Sequence, residues 1–90
     1  MHDIKKLVLK EEKRADEAFA ALTVNDDPKA RDLYELAFSY YEDAKHFQRN
    51  DRLLEAFELY SYLWGLLDAG ARLGLFNPGI ARKHFKVDQH

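Results

Sequence analysis

No cysteine occurs anywhere in the chain, which removes disulfides, thiolate metal clusters and thiol nucleophiles from consideration together. Glycine and proline are scarce, at four and two residues, so few positions can break a helix and no flexible linker separates domains. Charge of one sign is also lacking: the formal net charge is -2, with no cationic excess to condense onto a phosphate backbone. Neither nucleic acid nor membrane is expected as a partner. No uninterrupted run of about 20 apolar residues exists to span a bilayer. Near the start, Leu7, Val8 and Leu9 are closed off by Lys10 and Glu11, too short a run for a secretory leader, and a cytoplasmic location is the resulting expectation.

What is present is helical periodicity. Ninety residues with 47% apolar and 33% charged side chains suffice for one ordinary core. From Ile4 to Leu22, the positions Ile4, Leu7, Val8, Ala15, Ala18, Phe19 and Leu22 recur at threes and fours, an amphipathic helix. Asp27 followed by Pro28 is a start signal, a capping carboxylate and then proline at the first helical position. The inner face of this second helix is Ala30, Leu33, Ala37, Tyr40, Tyr41, Ala44 and Phe47, with Arg31, Glu35, Glu42 and Lys45 outward and Phe38 out of place. Gln48 to Arg52 form a short polar joint, with Asn50 a candidate left-handed cap and Asp51 a candidate cap for the third helix. So short a joint makes an antiparallel hairpin.

The third helix, Leu53 to about Gly70–Gly74, carries more apolar surface than a small bundle needs. Leu53, Ala56, Phe57, Tyr60, Leu63, Trp64, Leu67 and Ala71 form one stripe. A second row, Leu59, Tyr62, Leu66, Ala69 and Leu73, widens the apolar arc to roughly 220°. That row is the candidate interface, since a large exposed apolar patch usually marks one. A second copy is the simplest partner, because a self-complementary patch needs no other chain; another helical protein is the variant. Alternatively, the tail with Leu75, Phe76, Ile80 and Phe85 folds back over it. The expected fold is all-α, a three-helix up-and-down antiparallel bundle over residues 1–76. Residues 77–90 are expected as a C-terminal tail or short docking helix.

The run Tyr40, Tyr41, Glu42, Asp43, Ala44, then Phe47, Ala56 with Phe57, and Trp64, Gly65, Leu67, Asp68, Ala69, Gly70, Arg72, Leu73 and Gly74 resembles an archaeal family known as domain of unknown function 357. The resemblance implies a closed three-helix bundle in an archaeal cytoplasm. It implies no activity, and so supplies no catalytic residue.

Candidate chemistry is thin. Asp43 and His46 share a face, but a carboxylate di-iron site needs its Glu-x-x-His pair twice; a solvated histidine is the simpler reading, and no metal or cofactor is expected. Asp68 and Arg72, with Asp43 on the matching edge of the second helix, form a candidate structural polar cluster, with Tyr40, Tyr41 or Tyr60 as donors to Asp68. The alternative is a small-molecule or nucleotide site around Trp64, Asp68 and Arg72. The tyrosines lack the basic surroundings of a base-stacking platform. Arg82, Lys83, His84 and Lys86 form a small basic patch that reads as a solvated end. Gly65 sits inside the third helix, where close helix approach is the plain reason and a gap beside Trp64 the other.

Overall fold

Asp3 and Asp27 each open a helix by accepting the backbone N–H of the residue two positions on, at 3.0 Å from Lys5 and 2.8 Å from Lys29. These caps satisfy donors that the first turn leaves unbonded. In the computed structural model, which describes residues 3–86, they start α1 (Ile4–Ala21) and α2 (Pro28–Arg49). The third helix, α3 (Leu53–Arg72), starts without a side-chain cap. Asp51, not Asn50, takes the left-handed conformation in the joint, at φ 60°. Its carboxylate leaves the α3 start uncapped, and Arg52 stands there instead, held to Glu55 at 2.6 Å.

The chain forms a three-helix antiparallel bundle with a short C-terminal extension. Its tightest pairing is α2 with α3. Ala30, Ala37 and Ala44 recur every seven residues on α2, and Ala56, Leu63 and Gly70 do so on α3, all buried. A heptad made of small residues except for Leu63 keeps one seam facing its partner and lets the axes come close. α1 lies across one side of this hairpin, adding Val8, Ala15 and Ala18 to a core filled chiefly by Tyr60, Leu63 and Leu67. Full burial of each large apolar side chain contributes about 1.5–3 kcal/mol. Phe38, out of place in the sequence pattern, packs at the α1 edge with Phe19, Tyr34 and Tyr41.

After α3, Gly74 turns the chain at φ 74°. β2 (Phe76–Asn77) then pairs antiparallel with β1 (Thr23–Val24), aligning Val24 with Phe76. Asn25 reinforces this turn through its backbone N–H to the Leu75 carbonyl at 2.9 Å and its side-chain amide to Gly74. A 3-10 helix, Gly79–His84, follows. It crosses α1 and places Ala81 and Phe85 in the same core as the bundle. Val87 of the expected tail lies outside the described residues.

Candidate functional site

The second apolar row of α3 is only partly open. Leu59 and Leu66 are half-buried against the bundle, whereas Ala69 is exposed, Tyr62 is 66% exposed and Leu73 72%. Leu54, at the start of the helix, is 63% exposed. Tyr62 is steadied by stacking on Tyr40 of α2 at 6.2 Å. Two shallow hollows flank it. One, of about 500 Å³, is lined by Phe57, Glu58, Ser61, Tyr62 and Gly65; the other, of about 230 Å³, by Phe47, Glu55, Glu58, Leu59 and Tyr62.

The described residues of the tail, through Lys86, do not cover this row. Ile80 projects into solvent at 93% exposure. Phe85 instead packs edge-on against Trp64 at 5.2 Å, on the α1 side of α3, and the Arg14 guanidinium lies 4.5 Å over the same indole. Geometry explains the choice: the Val24–Phe76 pairing steers the chain toward α1 before the tail begins. Asp68 and Arg72 fasten it at Lys86, Asp68 accepting the Lys86 N–H at 3.1 Å and Arg72 donating to the Lys86 carbonyl at 2.8 Å. Asp43 is exposed on α2 and joins neither. Two of the three tyrosine hydroxyls expected at Asp68 go elsewhere, Tyr41 to Asp16 and Tyr60 to Gln48.

Around Trp64 the chain leaves a recess of about 350 Å³ lined in part by Glu11, Arg14, Trp64, Gly65, Asp68 and Lys86. Its polar groups are engaged internally, Arg14 with Glu11 at 2.8 Å and Asp68 with Lys86. The buried indole N–H finds no acceptor among the described residues. His46 is exposed on α2, and among the described residues no three potential ligands gather where they could hold a metal ion.

A second fastening holds the 3-10 helix to α1: His84 Nε2 meets Glu17 Oε1 at 2.8 Å, and Arg14 donates to the His84 carbonyl at 3.1 Å. The hydrogen bond from His84, aided by its charge and those of Lys83 and Lys13, lowers the Glu17 carboxyl below its ordinary 4.5 despite an opposing burial effect. A depressed folded-state value means the contribution is complete above the unfolded value and is lost as pH falls through the folded one. Thermal unfolding of the wild type and Glu17→Gln should therefore differ most above pH 4.5 and converge on acidification. A gap unchanged down to about pH 3 would show that His84 does not hold the carboxylate.

Pattern reading missed a polar network between all three helices. Lys45, expected outward, reaches Asp16 at 2.9 Å and Glu12 at 3.7 Å; Gln48 donates to Glu12 at 3.0 Å and accepts from Tyr60 at 2.9 Å. Burial, then the Glu12 and Asp16 charges, raises the Tyr60 hydroxyl; burial and the Asp16 hydrogen bond raise that of Tyr41. Burial works against the Lys45 charge, but hydrogen bonds with Asp16 and Tyr41 outweigh it and raise its value. The signal was the spacing of Tyr41, Lys45 and Gln48, one turn apart on a single face.

No helix among the described residues is long and apolar enough to cross a membrane. No curated protein and no solved structure is significantly similar to the chain. A family described as "Protein of unknown function (DUF357)" matches residues 11–76, from within α1 to the first residue of β2. Since that span includes the α2–α3 hairpin and most of α1, the chain belongs to this DUF357 family.

Proposed function

We propose that the chain is a non-enzymatic helical module that associates with a second copy of itself through the outward face of α3. The carrying observation is Gly65. Glycine inside a helix costs about 1 kcal/mol relative to alanine, yet nothing lies within 4 Å of where its Cβ would stand. Close approach within the chain, the plain sequence reading, is therefore not its use. A second α3 crossing at this point would use the missing side chain, with the small Ser61 and Ala69 a turn to either side.

Charge supports an antiparallel two-fold crossing. Glu58 and Arg72 stand seven positions before and after Gly65, two turns each way and so on the same face. A two-fold axis at Gly65 brings Arg72 across from Glu58 of the partner subunit, twice over. Leu54, Tyr62 and Leu73 supply exposed apolar area along the same contact. A ligand site around Trp64, Asp68 and Arg72 has less support, because Phe85 and Arg14 cover the indole while Asp68 accepts the Lys86 N–H.

Gly65→Leu tests the reading. Sedimentation should give a monomer with unchanged helicity, because the new side chain enters open space within the chain but blocks the crossing. Association as strong as that of the wild type would remove α3 from the contact.

A further inference from the structure

The charge of -2 is a sum over faces that differ. On α1 every acidic residue is engaged: Glu11 with Arg14, Glu12 and Asp16 with Lys45, Glu17 with His84. Its lysines form no such close pair, although Lys13 adds its charge near Glu17. Lys5, Lys6, Lys10 and Lys13 are all exposed, and among the described residues none forms a salt bridge. The acidic residues left exposed lie largely on α2 and α3, including Asp32, Glu35, Glu42 and Glu58. Pairing has thus segregated the charges and left the outer side of α1 cationic.

Two exposed aliphatic groups stand on that side. Leu9, 57% exposed, lies between Lys5 and Lys13 on the helical wheel, with Lys6 and Lys10 beyond Lys13, and three turns further along the same face comes Ala20. There α1 meets the 3-10 helix, where Glu17, Ala20, Ala21, Ile80, Ala81 and Lys83 line a shallow hollow of about 250 Å³. Ile80, 93% exposed, stands at its rim. Lysines around protruding Leu and Ile side chains have the form of an interfacial binding face, in which aliphatic groups enter the headgroup boundary and ammonium groups meet anionic lipid.

We propose that this face seats the protein on an anionic lipid surface. Nucleic acid is the rival polyanion, and the side chains favour lipid over it. The exposed α1 cations are compact ammonium groups without the planar fork that reads guanine edges, the one guanidinium of the helix, Arg14, being turned onto Trp64. The exposed groups between them are aliphatic, whereas binding to single strands uses aromatic rings as stacking platforms. None of these residues belongs to the outward face of α3, so this proposal and self-association stand or fall separately.

Vesicle co-sedimentation of the intact chain decides it. Vesicles of phosphatidylcholine with phosphatidylglycerol should retain the protein at low salt and release it at high salt, while phosphatidylcholine alone should not retain it. Combining Lys6→Glu, Lys10→Glu and Lys13→Glu should lower retention at least about tenfold. Ile80→Asp should lower it several-fold; both variants, altered only at exposed positions, should keep native helicity by circular dichroism. Absence of retention on anionic vesicles would overturn the proposal, as would retention indifferent to the triple lysine change. A gel shift of DNA or RNA abolished by that change, without vesicle retention, would overturn it in favour of nucleic acid.

Discussion

Phe85→Ala should lower the unfolding free energy by about 3 kcal/mol and shift the emission of the single tryptophan to longer wavelength. Phe85 is 6% exposed and lies edge-on to Trp64. Truncation removes buried aromatic area and leaves a cavity between α3 and the tail. It also uncovers the indole, which the Phe85 ring shields on one side and Arg14 on another. The hydrogen bonds of Asp68 and Arg72 to Lys86 are exposed and contribute too little to hold the tail alone. Chemical unfolding followed by tryptophan fluorescence reads both effects at once. Unchanged stability and unchanged emission together would mean that the tail does not rest on Trp64.

Two glycines of α3 should respond to alanine with opposite signs. A Cβ at Gly70 would stand 2.3 and 2.4 Å from ring carbons of Phe76 and 3.1 Å from a Leu33 methyl. The Phe76 ring has little room to retreat: it is 3% exposed, its backbone is paired with β1, and Tyr34 meets it edge-on at 6.4 Å. Overpacking of this kind costs about 1–3 kcal/mol, against a helix-propensity gain of about 1 kcal/mol for replacing glycine. The clash wins, and Gly70→Ala should lower the melting temperature, by about 4–8 °C for each net kcal/mol. Gly65→Ala meets no clash, keeps the propensity gain and should melt higher when measured on dilute monomer. Parallel stabilisation at both positions would show that Phe76 yields freely.

These glycines mark where sequence reading stopped. In the sequence Gly65 stands inside the third helix and Gly70 where that helix is expected to end; only Phe76, returned by the Gly74 turn and the β1–β2 pairing, makes Gly70 obligatory inside α3. A two-residue strand pair is too short to leave a period, so neither the pairing nor the tail's path could be read. The three helices could, because their apolar spacing and the Asp27–Pro28 start are local features. Asp68 and Arg72 both bond the backbone of Lys86, while Asp43 stands exposed on α2; the path of the tail that brings Lys86 to them left no mark in the sequence. Likewise the excess apolar row was visible as an arc, while its division into half-buried Leu59 and Leu66 and exposed Tyr62, Ala69 and Leu73 depends on where α2 packs. The lysine face was hidden by composition, since it arises only when Lys45 and His84 pair with the α1 carboxylates Asp16 and Glu17.

Self-association through α3 is most directly tested by light scattering of the intact chain across a concentration series reaching about 1 mM, where even an association of about -4 kcal/mol is populated. The molar mass should rise from 10.6 kDa toward twice that value and level there, as a closed two-fold contact requires. A mass that stays at 10.6 kDa throughout would contradict self-association.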